Sequence, residues 1–152
     1  MKRFSTHRSI LLAAASVALL FVSAAASAAA RRAPAPESAR VGREFTIKVG
    51  RTVTLKGETL RLRFVRVPAD SRCPKNVECV WAGNAEVLIE VSNGGARGRR
   101  TLSLNTNAGQ GRPGEATYGR YTVKLVSLSP YPSNTRKIRQ GQYVATLLVT
   151  KE

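Results

Sequence analysis

Leu60-Arg61-Leu62-Arg63-Phe64 and Ala85-Glu86-Val87-Leu88-Ile89-Glu90-Val91 decide how this chain is read. In the first stretch apolar residues take every second position and arginines the positions between. In the second, Ala85, Val87, Ile89 and Val91 share one side, with Glu86 and Glu90 on the other. A period of two belongs to a strand, whose successive side chains point to opposite faces. Each stretch buries one face and wets the other, which predicts antiparallel sheet. Both Arg61 and Arg63 are thereby expected in water.

The same period continues on either side. Phe45, Ile47 and Val49 alternate with Thr46 and Lys48, and Val53 and Leu55 follow Gly50-Arg51. The phase slips near Val65 and Val67, which predicts a bulge or bend. Asn93-Gly94-Gly95 tolerates the positive φ of a tight hairpin, and Leu102 and Leu104 mark the return strand. Thr106 to Ala116 reads as a long Gly-rich loop. Tyr121, Val123, Leu125 and Leu128 run toward Pro130-Tyr131-Pro132, where a strand must end because proline lacks the amide donor. Ser133 to Gly141 is polar, and Tyr143 to Val149 closes the domain. Seven or eight short strands with no amphipathic helix give an all-β fold. The first expectation is a small antiparallel β-sandwich of immunoglobulin-like topology, and the alternative is a small β-barrel, which periodicity does not separate from it.

The chain of 152 residues has room for one ordinary domain. Residues 1–30 read as a signal peptide. Lys2, Arg3 and Arg8 form a positive start, an uncharged run follows from Ser9, and Ala26-Ser27-Ala28 suits a small-residue cleavage site. An uncleaved anchor helix is the rival reading, since the uncharged run is long enough to span a bilayer. After cleavage no transmembrane segment would remain. Residues 31–43, rich in Ala, Pro and Arg, read as a flexible lead-in, and 44–152 as the β domain.

Loss of residues 1–30 removes three basic residues and no acidic one, so the formal charge falls from +16 to +13. Such a charge attracts polyanions. Behind a signal peptide these are lipopolysaccharide, anionic lipid, acidic glycans and extracellular DNA. Nucleic acid is not the expected partner, and without a compact Lys/Arg run the charge can equally be a solvated surface. The same cleavage removes His7, the only histidine, and the remainder holds one aspartate, Asp70. Ser-His-Asp and Cys-His catalysis lack their base. No metal site is expected, because zinc, copper and iron sites call for His or several Cys. Calcium would need clustered carboxylates. No cofactor is expected either.

Cys, Trp and Pro together occur ten times in the chain, and four of these fall between Cys73 and Trp81. The segment is Asp70-Ser71-Arg72-Cys73-Pro74, four residues, then Cys79-Val80-Trp81-Ala82-Gly83. An exported cysteine pair is most simply a disulfide. Closing so small a loop stabilises by about 2 kcal/mol. Trp81 can then pack on the bridge or on the end of the sandwich. Asp70 can accept from loop amides or pair with Arg72. A redox pair would normally have two intervening residues and a helix start to lower a thiol pKa, and two thiolates alone make a poor zinc site.

The string D-S-R-C-P-x4-C-x-W-x-G, the strand after it and the later S-P-Y-P resemble a family of uncharacterised exported bacterial proteins. The resemblance runs from about Phe45 to Lys151. It implies export and the β fold, and carries no activity.

The Gly-rich stretches Gly94–Gly98 and Gly109–Gly114 lack the Lys-Ser/Thr pair and helix of a phosphate loop. Arg61, Arg63 and Arg66 with Arg97, Arg99 and Arg100 could form a basic face, or stand as separate solvated arginines. Tyr118, Tyr121, Tyr131 and Tyr143 could line a groove. Alternation makes Tyr121 and Tyr143 core-edge residues, and Tyr131 the exposed aromatic. The expectation is a periplasmic or secreted, monomeric, non-enzymatic binding or envelope-accessory protein. Its binding residues would be Asp70, Arg72, Trp81, Arg61, Arg63 and Tyr131, for an anionic envelope component or a protein partner. The alternatives are an inhibitor of a hydrolase and a thiol-redox protein using Cys73 and Cys79.

Overall fold

In the computed structural model the described residues are 37–94, 98–109 and 111–152. The expected signal peptide, and the first part of the lead-in, lie outside them. Nine strands follow in order: β1 Glu37–Ala39, β2 Glu44–Lys48, β3 Thr52–Leu55, β4 Leu60–Asp70, β5 Ala85–Asn93, β6 Arg100–Asn105, β7 Glu115–Tyr118, β8 Tyr121–Ser129 and β9 Val144–Lys151. Gln140–Gln142 forms a 3₁₀ turn, and the described residues contain no α-helix.

The strands form two sheets, ordered β1-β3-β4-β5-β6 and β2-β9-β8-β7. All pairings are antiparallel except β1 with β3. The fold is the expected β-sandwich, not a closed barrel. It shares with immunoglobulin domains two packed, antiparallel-rich sheets, while its neighbours in each sheet are mostly consecutive in sequence, so each sheet is largely a meander.

The alternating residues quoted above make the core. Leu60, Leu62 and Phe64 from β4 and Ala85, Val87, Ile89 and Val91 from β5 are fully buried. They face Ile47, Val123, Ala145, Leu147 and Val149 of the other sheet in one cluster. Burial of a Leu, Ile or Phe side chain is worth about 1.5–3 kcal/mol, so this alternation fixes both the sheet faces and the register.

Two corrections concern strand count and boundaries. The lead-in expected over 31–43 is in part structured, because Glu37–Ala39 adds a parallel strand to β3 and Ala39 is buried. The Gly-rich loop stops at Gly114, because Glu115–Tyr118 pairs with Tyr121–Lys124. Neither segment has a readable alternation, since each is a short edge strand held by its neighbour.

The expected phase slip is present. The β4–β5 register shifts between Phe64 and Arg66 and again between Arg66 and Ala69. The irregularity leaves Val67 without a ladder partner. The Gln140 side chain takes that place: its Oε1 accepts from Val67 N at 3.1 Å and its Nε2 donates to Val67 O at 2.5 Å. Buried backbone groups need such partners, and among the described residues no buried side-chain polar atom is left unpaired.

Candidate functional site

The loop between β4 and β5 is built on Asp70, the last residue of β4. Its carboxylate takes the Arg72 guanidinium by two edges, Nε to Oδ1 at 2.9 Å and Nη2 to Oδ2 at 2.7 Å. It also accepts from the Arg72 amide at 3.2 Å and from Tyr143 OH at 3.0 Å. Arg72 reaches onward to Leu128 O at 2.6 Å and Pro130 O at 2.9 Å. Arginine suits this position because its planar fork can serve a carboxylate and two carbonyls at once. The group joins the end of one sheet to β8 and the start of β9 in the other. Burial by itself would raise the Asp70 pKa, but the hydrogen bonds from Arg72, its charge and the Tyr143 hydroxyl more than offset this and hold it below the usual carboxylate value. Burial and the hydrogen bond to the Asp70 carboxylate push the Tyr143 hydroxyl up to about 12.

Above this base, Cys73 and Cys79 are joined in a disulfide. Backbone bonds continue the β4–β5 ladder into the loop, from Ser71 N to Asn84 O at 2.7 Å and from Cys73 N to Ala82 O at 3.1 Å. Gly83 ends the motif for a steric reason: its φ is +67°, and a Cβ there would lie 1.8 Å from Ser71 O. The loop is also tied sideways, since Lys75 N donates to Pro132 O at 3.0 Å. The Tyr131 ring takes Arg72 at 5.2 Å and Lys75 at 5.9 Å from its centroid.

The six expected binding residues therefore separate. Asp70 and Arg72 are buried in a structural ion pair, with side chains 9% and 6% exposed. Neither offers a free contact, because each has spent its polar atoms on the other and on the backbone. Tyr131 is half exposed beside them. Trp81 packs neither on the bridge nor on the sandwich end: it is 82% exposed, and Val80 is 89% exposed. The ladder holds the neighbouring backbone, and the tip points outward.

Arg61 and Arg63 lie near the other end of β4, about 20–30 Å from Asp70 at strand rise. They stand on the outer face of the five-stranded sheet, where Thr52-Arg63-Glu90 and Thr54-Arg61-Ser92 form adjacent rows. Arg99 joins them, its Nε 3.6 Å from Glu90 Oε1. Thr52, Arg61, Arg63, Glu90, Ser92 and Arg99 enclose a shallow depression of about 290 Å³. Arg66 is exposed further along β4, beyond the first register shift. Arg100 opposes the core-facing Val91 and so leaves this face. Arg97 lies outside the described residues.

The tyrosines do not line one groove. Tyr121 and Tyr143 are buried at the core edge, as expected, and Tyr118 bonds to Gly98 O. Tyr121 belongs to a second carboxylate group that the sequence did not reveal. Glu58, in the β3–β4 turn, accepts from Tyr121 OH and from Lys151 Nζ, each at 2.6 Å. These two hydrogen bonds, and the charges of Lys151 and Arg120, lower its pKa against the opposing effect of burial. Nothing in the local pattern of Glu58 marks it, because its partners are more than sixty residues away.

Among the described residues no cluster of His, Cys, Asp and Glu could hold a metal ion. No helix there is long and apolar enough to cross a membrane. Comparison with family models, curated proteins and solved structures finds no match to this chain.

Proposed function

We propose that this is a non-enzymatic binding protein of the periplasm or extracellular space, which holds an anionic component of the cell envelope on its outer sheet face. One observation carries this reading: Arg61, Arg63 and Arg99 converge around one depression with Glu90 as their only acidic neighbour in its lining. Rigid strands set the spacing of the β4 arginines, so docking of an anion needs no ordering of their backbone. Guanidinium groups beside the Thr52 and Ser92 hydroxyls suit phosphate or sulfate oxygens.

The non-enzymatic part rests on the groups with perturbed pKa. Such groups cluster at catalytic sites. Here Glu58, Asp70 and Tyr143 are each held in an ion-paired or hydrogen-bonded tie between the sheets. Export is supported by the leader pattern of residues 1–30 and by the disulfide, which persists in oxidising compartments.

The test is elution of the full chain from immobilised heparin and from immobilised lipopolysaccharide in rising salt. Arg61→Ser/Arg63→Ser should elute at clearly lower salt than the wild type, because screened contacts weaken with ionic strength. Arg43→Ser/Lys48→Ser, which removes equal charge elsewhere, should elute later than the sheet-face variant. Equal elution of the two double variants overturns the sheet-face assignment. Flow-through of the wild type at low salt overturns anion binding altogether.

A further inference from the structure

We infer that the disulfide-pinned loop between β4 and β5 is a membrane-contact tip, whose Val80 and Trp81 enter the interfacial layer of an anionic lipid bilayer while Lys75 and Arg112 face its phosphates. This surface is separate from the basic sheet face and does not depend on the reading given to that face.

The starting point is an unusual exposure. Val80 and Trp81 are adjacent and project 89% and 82% of their surface into water. No other large hydrophobic among the described residues exceeds 46%. A lone exposed apolar residue needs no explanation. Two successive ones at a loop tip held by a disulfide, a backbone ladder and a buried ion pair do. The scaffold prevents the loop from folding them inward: Cys73 is bonded to Cys79, Cys73 N is bonded to Ala82 O, and Asn107 Nδ2 donates to Gly83 O at 3.1 Å. A tip held in this way has already lost its conformational freedom, so insertion costs little further ordering.

Composition and charge select the occupant. Tryptophan has an apolar body and one N–H donor, which matches the boundary between acyl chains and headgroups. Cations stand beside the tip and in the loops that carry it. Arg112 shares with Trp81 the rim of a depression of about 250 Å³. Lys75 sits in the loop itself. Arg136 stands in the adjoining loop, joined through a bridge between Lys75 and Ser133. Against these stands Glu78, since Asp70 is neutralised by Arg72. The balance is positive, and cations near an anionic leaflet add to apolar insertion. Val80 and Trp81 project outward from the loop instead of lining a closed cavity, and this suits a deformable lipid surface.

The chain contains one tryptophan, so its fluorescence reports the tip alone. The experiment adds vesicles of phosphatidylglycerol mixed with phosphatidylcholine, or of phosphatidylcholine alone, to the purified exported form of the protein, residues 31–152, so that the leader contributes no membrane binding of its own. The expected result is a shift of emission to shorter wavelength with the anionic vesicles, reversed by high salt, and little change with the zwitterionic ones. Lys75→Ala and Arg112→Ala should each weaken partition roughly fivefold. Val80→Ser/Trp81→Ser, at exposed positions that leave the fold intact, should lose co-sedimentation with the anionic vesicles. Arg61→Ser/Arg63→Ser should keep the fluorescence shift while losing heparin retention, so failure of either proposal is seen separately. An unshifted emission with anionic vesicles overturns the inference, and so does undiminished co-sedimentation of Val80→Ser/Trp81→Ser. A shift produced only by a purified envelope protein would assign the tip to a protein partner instead.

Discussion

Replacing Arg72 with Met should unfold this domain more readily than any surface change, and the size of the loss follows from the geometry. Met fills much of the path of the Arg72 stem but supplies none of its four side-chain donations: two to Asp70, one to Leu128 O and one to Pro130 O. Removing one partner of a buried ion pair costs about 3–5 kcal/mol, because the other charge is left in a poorly solvated place. Asp70 keeps the Tyr143 hydroxyl at 3.0 Å, so the loss belongs near the lower end, about 3 kcal/mol. For a domain of this size that corresponds to a fall in Tm of about 12 °C. Urea unfolding measures it as a lowered midpoint at constant m-value. The decisive comparison is Asp70→Leu/Arg72→Met, which removes both charges and should regain the part of the loss that comes from the stranded Asp70 carboxylate, while Leu128 O, Pro130 O and the Tyr143 hydroxyl stay without these partners. A single variant within about 1 kcal/mol of wild type would refute the idea that this pair holds the sheets together. So would a double variant no more stable than the single one.

Gly83→Ala should destabilise by about 2 kcal/mol or more, since it adds left-handed strain to a contact of 1.8 Å with Ser71 O; Gly57→Ala, also at positive φ but with open space around it, should cost less in the same thermal scan. Cys73→Ser/Cys79→Ser should lose about 2 kcal/mol of stability and broaden the amide signals of residues 74–82, while the β-sheet circular dichroism persists. With pH, the depressed Asp70 pKa contributes stability that is complete above about pH 4, the unfolded carboxylate value, and is lost as pH falls through the lower native value. The lowered Glu58 acts in the same direction, so Asp70→Asn should flatten only part of the acid limb of a urea-midpoint profile. On the alkaline side the Tyr143 contribution is complete below about pH 10, the unfolded value, and is lost as pH rises through about 12. Tyr143→Phe should remove that slope.

Much of the site was legible only in part. Asp70, Arg72, Cys73, Cys79 and Trp81 stood out because rare residues gathered in a short span, and their pairings were within reach of local reasoning: the disulfide and the Asp70–Arg72 pair are only a few residues apart in sequence. Their accessibility was not. Arg72 is written like any surface arginine, yet it is buried because Leu128 and Pro130, more than fifty residues later, bring carbonyls to it. Trp81 is written like a core residue, yet it is exposed because the ladder and bridge beneath it turn the tip outward.

The order of apolar and polar residues by itself determined seven of the nine strands, all but β1 and β7, with their inward faces and the bulge in β4, because side-chain direction in a strand depends only on sequence parity. It also determined the turn glycines and the proline stop after β8. Only the tertiary structure decided which strands became neighbours, that a Gln140 amide would fill the gap at Val67, and that Glu58 and Asp70 would each tie the two sheets at opposite ends of β4. It decided too that Arg61, Arg63 and Arg99 would meet while Trp81 stood apart from them. Those contacts join residues tens of positions apart, and their energies depend on distance and burial, which no local window of sequence contains.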